Sequence, residues 1–184
     1  MSKTKVAVFV GSLRKDSINK KLAKAVEKLM PADVEFEYVD IGALPLYNQD
    51  YDSDYPPPYR NLKQQIEGAD ALLFVTPEYN RSVPGVLKNA IDIGSRPWGK
   101  NSFAGKPAAV IGASIGSIGT AIAQQHVRGS LAFVDAPTLA QPEVFIHFKE
   151  GMFDDEGNIG SDETRGFLQN FADKYLNWIA THRK

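Results

Sequence analysis

Apolar positions fall into two alternating patterns, short continuous runs and stretches at helical spacing. Val6-Ala-Val-Phe-Val10 is unbroken, as in a parallel strand covered on both faces, and predicts a strand over Lys5–Val10. Ile18, Leu22, Val26 and Leu29 then recur at helical spacing until Pro31 stops the helix. Val34–Ile41 alternates like a second strand. Leu62, Ile66 and Ala69 mark a helix over about Tyr59–Gly68. Asp70–Thr76 is the clearest buried strand, followed by a helix with Ser82 as its expected cap, Pro84 in its first turn and Leu87, Ala90 and Ile91 as its stripe. Gly94–Lys106 reads as loop and Pro107–Gly112 as a fourth strand. A helix over about Ser117–Val134 and a strand near Glu143–Phe148 come next. Gly151–Asp162 is an acidic loop, and Leu168, Phe171, Tyr175 and Ile179 mark a closing helix.

Five strands with intervening helices predict an α/β doubly wound sheet. The flavodoxin-like strand order 2-1-3-4-5 needs no sixth strand and is the order expected here. Ligands then bind at the switch point between strands one and three, at the strands' carboxyl ends. The informative loops are those after strands one, three and four.

Length changes this picture little: 184 residues suit one domain spanning 1–184. The stretch Tyr47–Pro58, with three Asp, three Tyr and Pro56-Pro57-Pro58, reads as a surface excursion. Charge excludes more. A net charge of −1 argues against a dedicated nucleic-acid binder. The absence of Cys removes disulfides, thiolate nucleophiles and Cys-ligated metals. The first apolar run is too short to span a bilayer and lacks a cleavage pattern, so no membrane insertion and a cytoplasmic location are expected. The three His, at 126, 147 and 182, form no metal-binding spacing, and no metal is expected.

The first loop, Gly11-Ser-Leu-Arg-Lys-Asp-Ser-Ile-Asn19, runs from a strand into a helix. A helix N-terminus suits phosphate, and Ser12, Ser17 and Asn19 add donors while Arg14 adds a cation. It is neither a Walker A loop nor G-x-G-x-x-G, and its hydroxyls suit a terminal phosphate monoester. The second loop, beginning Thr76-Pro-Glu-Tyr-Asn-Arg81, lies on the other wall of the crevice. There Tyr79 can lie against a flat ligand. The third, Gly112-Ala-Ser-Ile-Gly-Ser-Ile-Gly119, contains G-x-S-x-G, the nucleophile-elbow pattern, with Ser114, Asp135 and His147 in hydrolase order. His147 falls in a strand, however. The simpler reading is a small-residue loop that lets a flat ligand approach the backbone.

Together Gly11-Ser-Leu-Arg-x-x-Ser-x-Asn19, Thr76-Pro-Glu-Tyr-Asn80, Ser82-x-Pro-Gly-x-Leu-Lys-Asn-Ala-Ile-Asp92 and Gly105-Lys-Pro107 resemble the NADPH-dependent FMN reductase family. The branch they resemble is that of the bacterial quinone and chromate reductases. The resemblance implies bound FMN, with NADPH or NADH as co-substrate. It assigns Ser12, Leu13, Arg14, Ser17, Ile18 and Asn19 to the phosphate, and Pro77, Glu78, Tyr79, Asn80 and Arg81 to the ring and ribityl chain. Ser114 falls on the ring's far side. Arg81 departs from the Tyr or His common there. Hydride passes from nicotinamide to flavin and then to a quinone or other small acceptor, chromate, azo compounds and free flavin among the candidates. No catalytic side chain is required, because the cofactor carries the chemistry. Arg96 is expected at the crevice mouth as a substrate-binding cation. A homodimer or homotetramer is implied, with Leu46-Tyr47-Asn48 at the rim and Arg128 and Glu143 joining dimers. The rival functions are a flavodoxin-type electron carrier and a serine hydrolase using Ser114.

Overall fold

The computed structural model describes residues 3–182. Its sheet has five parallel strands, β1 (Thr4–Val10), β2 (Val34–Tyr38), β3 (Ala71–Val75), β4 (Ala108–Ser114) and β5 (Val144–His147), in the expected order β2-β1-β3-β4-β5. Register is pinned by pairs such as Val8 with Leu73 and Phe74 with Val110. The central strands bury both faces, which is why their sequences run apolar without alternation.

One face is covered by α1 (Ile18–Leu29) and α5 (Asp162–His182), over a core of Val6, Val8, Leu22, Val26, Leu73 and Phe171. The other carries α2 (Pro57–Gly68), α3 (Gly85–Gly94) and α4 (Ala121–Phe133), packed on Phe9, Phe74, Leu62 and Leu87. Phe9 and Phe74 stack with ring centroids 4.8 Å apart. The buried Tyr175 hydroxyl donates to the Leu72 carbonyl at 2.8 Å and ties α5 to β3. Among the described residues no helix is long and apolar enough to cross a membrane.

Several boundaries differ from the sequence reading. β2 ends at Tyr38, three residues short of Ile41. β4 runs two residues further, to Ser114, and α4 starts at Ala121, not Ser117. Ser82 does not cap α3: Pro84 holds the cap position without a side-chain bond, and Ser82 Oγ instead meets His126 Nδ1 at 2.9 Å. A proline at the cap fixes the entering backbone, so a hydroxyl cap is dispensable there.

Candidate functional site

Three loops converge at the carboxyl edge of the sheet, and two of them flank the switch point between β1 and β3. Gly11 holds the walls together: a Cβ there would sit 3.0 Å from Pro77 and 3.2 Å from Pro84. The loops after β1 and β3 therefore meet at their bases and open outward as one crevice.

The first loop is a ring of unused donors. Ser17 caps α1, its hydroxyl accepting from the Lys20 N–H at 3.3 Å. None of the backbone N–H groups from Ser12 through Asn19 meets an acceptor among the described residues. Ser12 is 4% exposed and its hydroxyl has no partner there either. Arg14 is exposed and makes no ion pair among those residues. Unpaired N–H groups, the positive end of α1 and a free guanidinium make an anion site. Leu13 is exposed and reaches over Gly42, while Ile18 packs on the core.

Asn19 departs from its expected role. Its side chain is buried, with Nδ2 donating to the Ala113 carbonyl and Oδ1 accepting from the Ala113 N–H, both at 2.9 Å. The amide mimics a strand neighbour of β4. Only its backbone N–H remains for a ligand.

The second loop is a tight two-residue turn. Tyr79 and Ser82 exchange backbone hydrogen bonds at 3.2 and 3.0 Å, and Asn80 and Arg81 both take positive φ, at 50° and 61°. That left-handed pair is the geometry of a type I′ turn, comfortable for Asn and costly by about 1 kcal/mol or more for Arg. It leaves the N–H groups of Glu78, Asn80 and Arg81 without acceptors among the described residues. Pro77 is buried, and Tyr79 is 47% exposed.

The Glu78 carboxylate is likewise committed. Its Oε2 accepts from the N–H groups of Ile122 and Ala123, both at 3.0 Å, and so caps α4. Thr120 cannot cap, because its φ is 73° and its side chain makes no cap bond. Glu78→Ala is expected to cost about 2 kcal/mol, the scale of a charged cap at a helix N-terminus. In a chain of this size that lowers the melting temperature by roughly 4–8 °C. Thermal denaturation with and without ligand checks it. Glu78→Gln keeps one acceptor and should lose less.

In the third loop the glycines serve packing more than ligand approach. A Cβ on Gly112 would overlap Thr120 Oγ1 and the Thr76 carbonyl, and one on Gly119 would overlap the β5 backbone at Phe145. Gly116 alone is open, with nothing nearer than Ser114 Oγ at 3.5 Å. Ser114 Oγ accepts from the Gly116 N–H at 3.1 Å. No hydrolytic triad forms. Ser114 ends β4 at the carboxyl edge, whereas the Asp135 carbonyl accepts from the Gly105 N–H, just before β4 begins. The length of β4, roughly 20 Å, separates them.

Arg96 is not at the crevice of its own chain. It follows the last turn of α3, about 15 Å along the helix from the Gly85 end that faces the crevice. There it lies beside Phe133 and Val134 at the end of α4, with its guanidinium 5.3 Å from the Trp98 ring centroid. It also faces the Tyr47 hydroxyl, which burial and then Asp52 push above the usual phenol range while Arg96 pulls it down. Asn89 fixes this neighbourhood by accepting from the Tyr47 N–H and donating to the Pro45 carbonyl. Arg128 Nη1 and Nη2 donate to the carbonyls of Leu139 and Val110, while its buried Nε has no partner among the described residues. Glu143 accepts from Gln125. The Ser82–His126 pair escaped sequence reading because 44 residues separate its members.

The arrangement suits a phosphorylated, flat, uncharged-ringed ligand: anion donors at one end, then a turn with free N–H groups, an exposed Tyr79 ring and apolar Ile115 and Ile118 on the far rim. FMN fits that donor set. Comparison with known proteins agrees. The family model for NADPH-dependent FMN reductase matches residues 4–151. A 2-hydroxy-1,4-benzoquinone reductase of Burkholderia sp is 58% identical over 97% of this chain and 98% of its own. A quinone reductase of Pseudomonas putida is 49% identical over 97% and 96%. Among solved structures, the flavoenzyme NAD(P)H:(acceptor) oxidoreductase FerB of Paracoccus denitrificans superposes with a TM-score of 0.94. It is 46% identical, over 98% of this chain and 100% of that one.

Proposed function

The chain belongs to the NADPH-dependent FMN reductase family, and on that premise we propose that it is a flavoenzyme passing electrons from NAD(P)H to quinones. The observation that carries the site assignment is the run of unpartnered N–H groups from Ser12 through Asn19, beside the Tyr79 turn. Ser12, Arg14 and the backbone of residues 13–19 hold the phosphate. The N–H groups of Glu78, Asn80 and Arg81 meet the polar edge of the ring, and Tyr79 and Ser114 flank it. When bound, FMN supplies the two-electron relay between dinucleotide and acceptor. The protein fixes geometry and withholds competing nucleophiles. Its NAD(P)H supply is cytoplasmic. Chromate, azo compounds and free flavin are further acceptors to test.

A second copy of the chain completes the site. Trp98 and Phe133 are 79% and 71% exposed beside the groove between α3 and α4, an apolar pairing that water disfavours. Arg96 stands in that groove, so a partner turned end for end carries it to the other chain's crevice. Phe133→Asp should raise the dimer dissociation constant by roughly tenfold or more, the scale of losing an interface anchor of about 1.4 kcal/mol or greater, read by sedimentation, and quinone turnover should fall as monomer accumulates.

The function itself is tested by NADPH oxidation. FMN-loaded protein should consume NADPH with benzoquinone and no added reductase, forming hydroquinone in equal amount. Flavin that binds yet stays oxidised under NADPH would point to the electron-carrier reading.

A further inference from the structure

Arg81 holds a backbone position that its own side chain opposes. In the turn of the second loop the first central residue, Asn80 at φ 50°, tolerates the left-handed conformation. The second, Arg81 at φ 61°, takes the seat that glycine fills without strain. Strain of this kind persists where the side chain carried there is of use. The fold itself makes little use of this one. Among the described residues the guanidinium meets only Glu78 Oε1, at 3.4 Å, and the side chain is 64% exposed. So long and open an ion pair contributes little. Glu78 does not need it, because the Ile122 and Ala123 N–H groups already hold its other oxygen.

The contact nevertheless fixes where the charge stands. Glu78 ties the turn to the start of α4, and α4 follows directly on the third loop, the Ala121 N–H donating to the Ile118 carbonyl at 3.2 Å. The guanidinium is therefore carried at the rim where the second and third loops face each other. Tyr79 and Ile118, 47% and 38% exposed, give that rim apolar surface. Arg81 spends a single N–H on Glu78 and keeps the rest of its donor fork for an acceptor from outside the chain. An aromatic ring, an aliphatic side chain and a planar cation suit a flat molecule with an acidic substituent, since a guanidinium matches the paired oxygens of an ionised acid.

We propose that Arg81 sets acceptor specificity, making the crevice favour quinones that carry an ionised acidic group. The quinone ring lies along Tyr79 and Ile118, and its anionic oxygens meet the Arg81 fork. This assignment rests on the quinone reductase reading above and deepens it by naming the class of acceptor.

Steady-state kinetics of the FMN-loaded protein at saturating NADPH test it with 1,4-naphthoquinone-2-sulfonate and 1,4-naphthoquinone, which share a ring and differ in charge. Arg81→Gly should lower kcat/KM for the sulfonate about tenfold more than for the neutral quinone, the low end for a contact to a charged group. The difference should shrink as salt rises, and Arg81→Lys should recover most of it. Naphthalene-2-sulfonate, which accepts no electrons, should bind the oxidised parent in calorimetry and bind Arg81→Gly about tenfold more weakly. The apo-variant Arg81→Gly should melt no lower than the parent, because glycine relieves the left-handed backbone. Equal losses for the two quinones, or equal sulfonate binding by parent and variant, overturn the proposal. A lower melting temperature of the apo-variant would make Arg81 a structural residue and overturn it too. Slower flavin reduction by NADPH with an unchanged ratio between the quinones would give the cation to the dinucleotide, and the assignment falls. The reductase reading fails separately, when the loaded parent oxidises NADPH with neither quinone.

Discussion

Asn19→Ala is expected to lose about 3 kcal/mol of stability, although the residue lies in the loop that looks most dedicated to a ligand. The substitution leaves the N–H and C=O of Ala113 buried and unpaired, at about 1–3 kcal/mol for each orphaned group. For a chain of this size the melting temperature should fall by roughly 6–12 °C. Asn19→Asp should be at least as harmful, because it keeps the acceptor for the Ala113 N–H but turns a carboxylate oxygen toward the Ala113 carbonyl. A residue acting only on phosphate would behave differently, losing affinity with little change in the melting temperature of the ligand-free protein. Thermal melts of the apo-proteins separate the two.

Arg14→Ala should show that opposite pattern. The guanidinium is exposed and unpaired among the described residues, so its removal leaves the fold intact. It removes a charge-assisted contact to phosphate worth about 1.5–3 kcal/mol, roughly 10- to 100-fold in FMN affinity. Riboflavin lacks the phosphate, and its affinity should hardly move. Fluorescence titration of the apo-protein with each flavin measures both. Equal losses would mean that Arg14 touches the ring or only supports the loop.

The contrast between Asn19 and Arg14 marks the limit of reading this chain from its sequence. Continuous apolar runs identify β1, β3 and β4, because strands buried on both faces cannot alternate. Strand count and the polar turn after β1 then suffice for the switch point and its crevice. What escapes is where a polar side chain points. Asn19 and Ser12 look alike in a donor-rich loop, but the partner of Asn19 is 94 residues away on β4. Glu78 stands in the turn that faces the crevice yet serves α4, because Thr120 takes a left-handed backbone and cannot cap. Gly112 suggests room for a ligand, whereas the room is filled by Thr120. Arg96 lies away from the crevice of its own chain for a simpler reason. A helix that begins at the crevice ends about 15 Å from it, so a residue after α3 belongs to the far end.

The central claim is that three loops at the carboxyl edge hold one FMN, the first two through backbone N–H groups that have no acceptor among the described residues. Amide chemical shifts of the apo-protein titrated with FMN test it directly. The largest changes should fall on residues 12–19, 78–81 and 115–118, with those of 12–19 absent when riboflavin replaces FMN. Changes centred instead on the α3–α4 groove, or identical maps for the two flavins, would contradict the account.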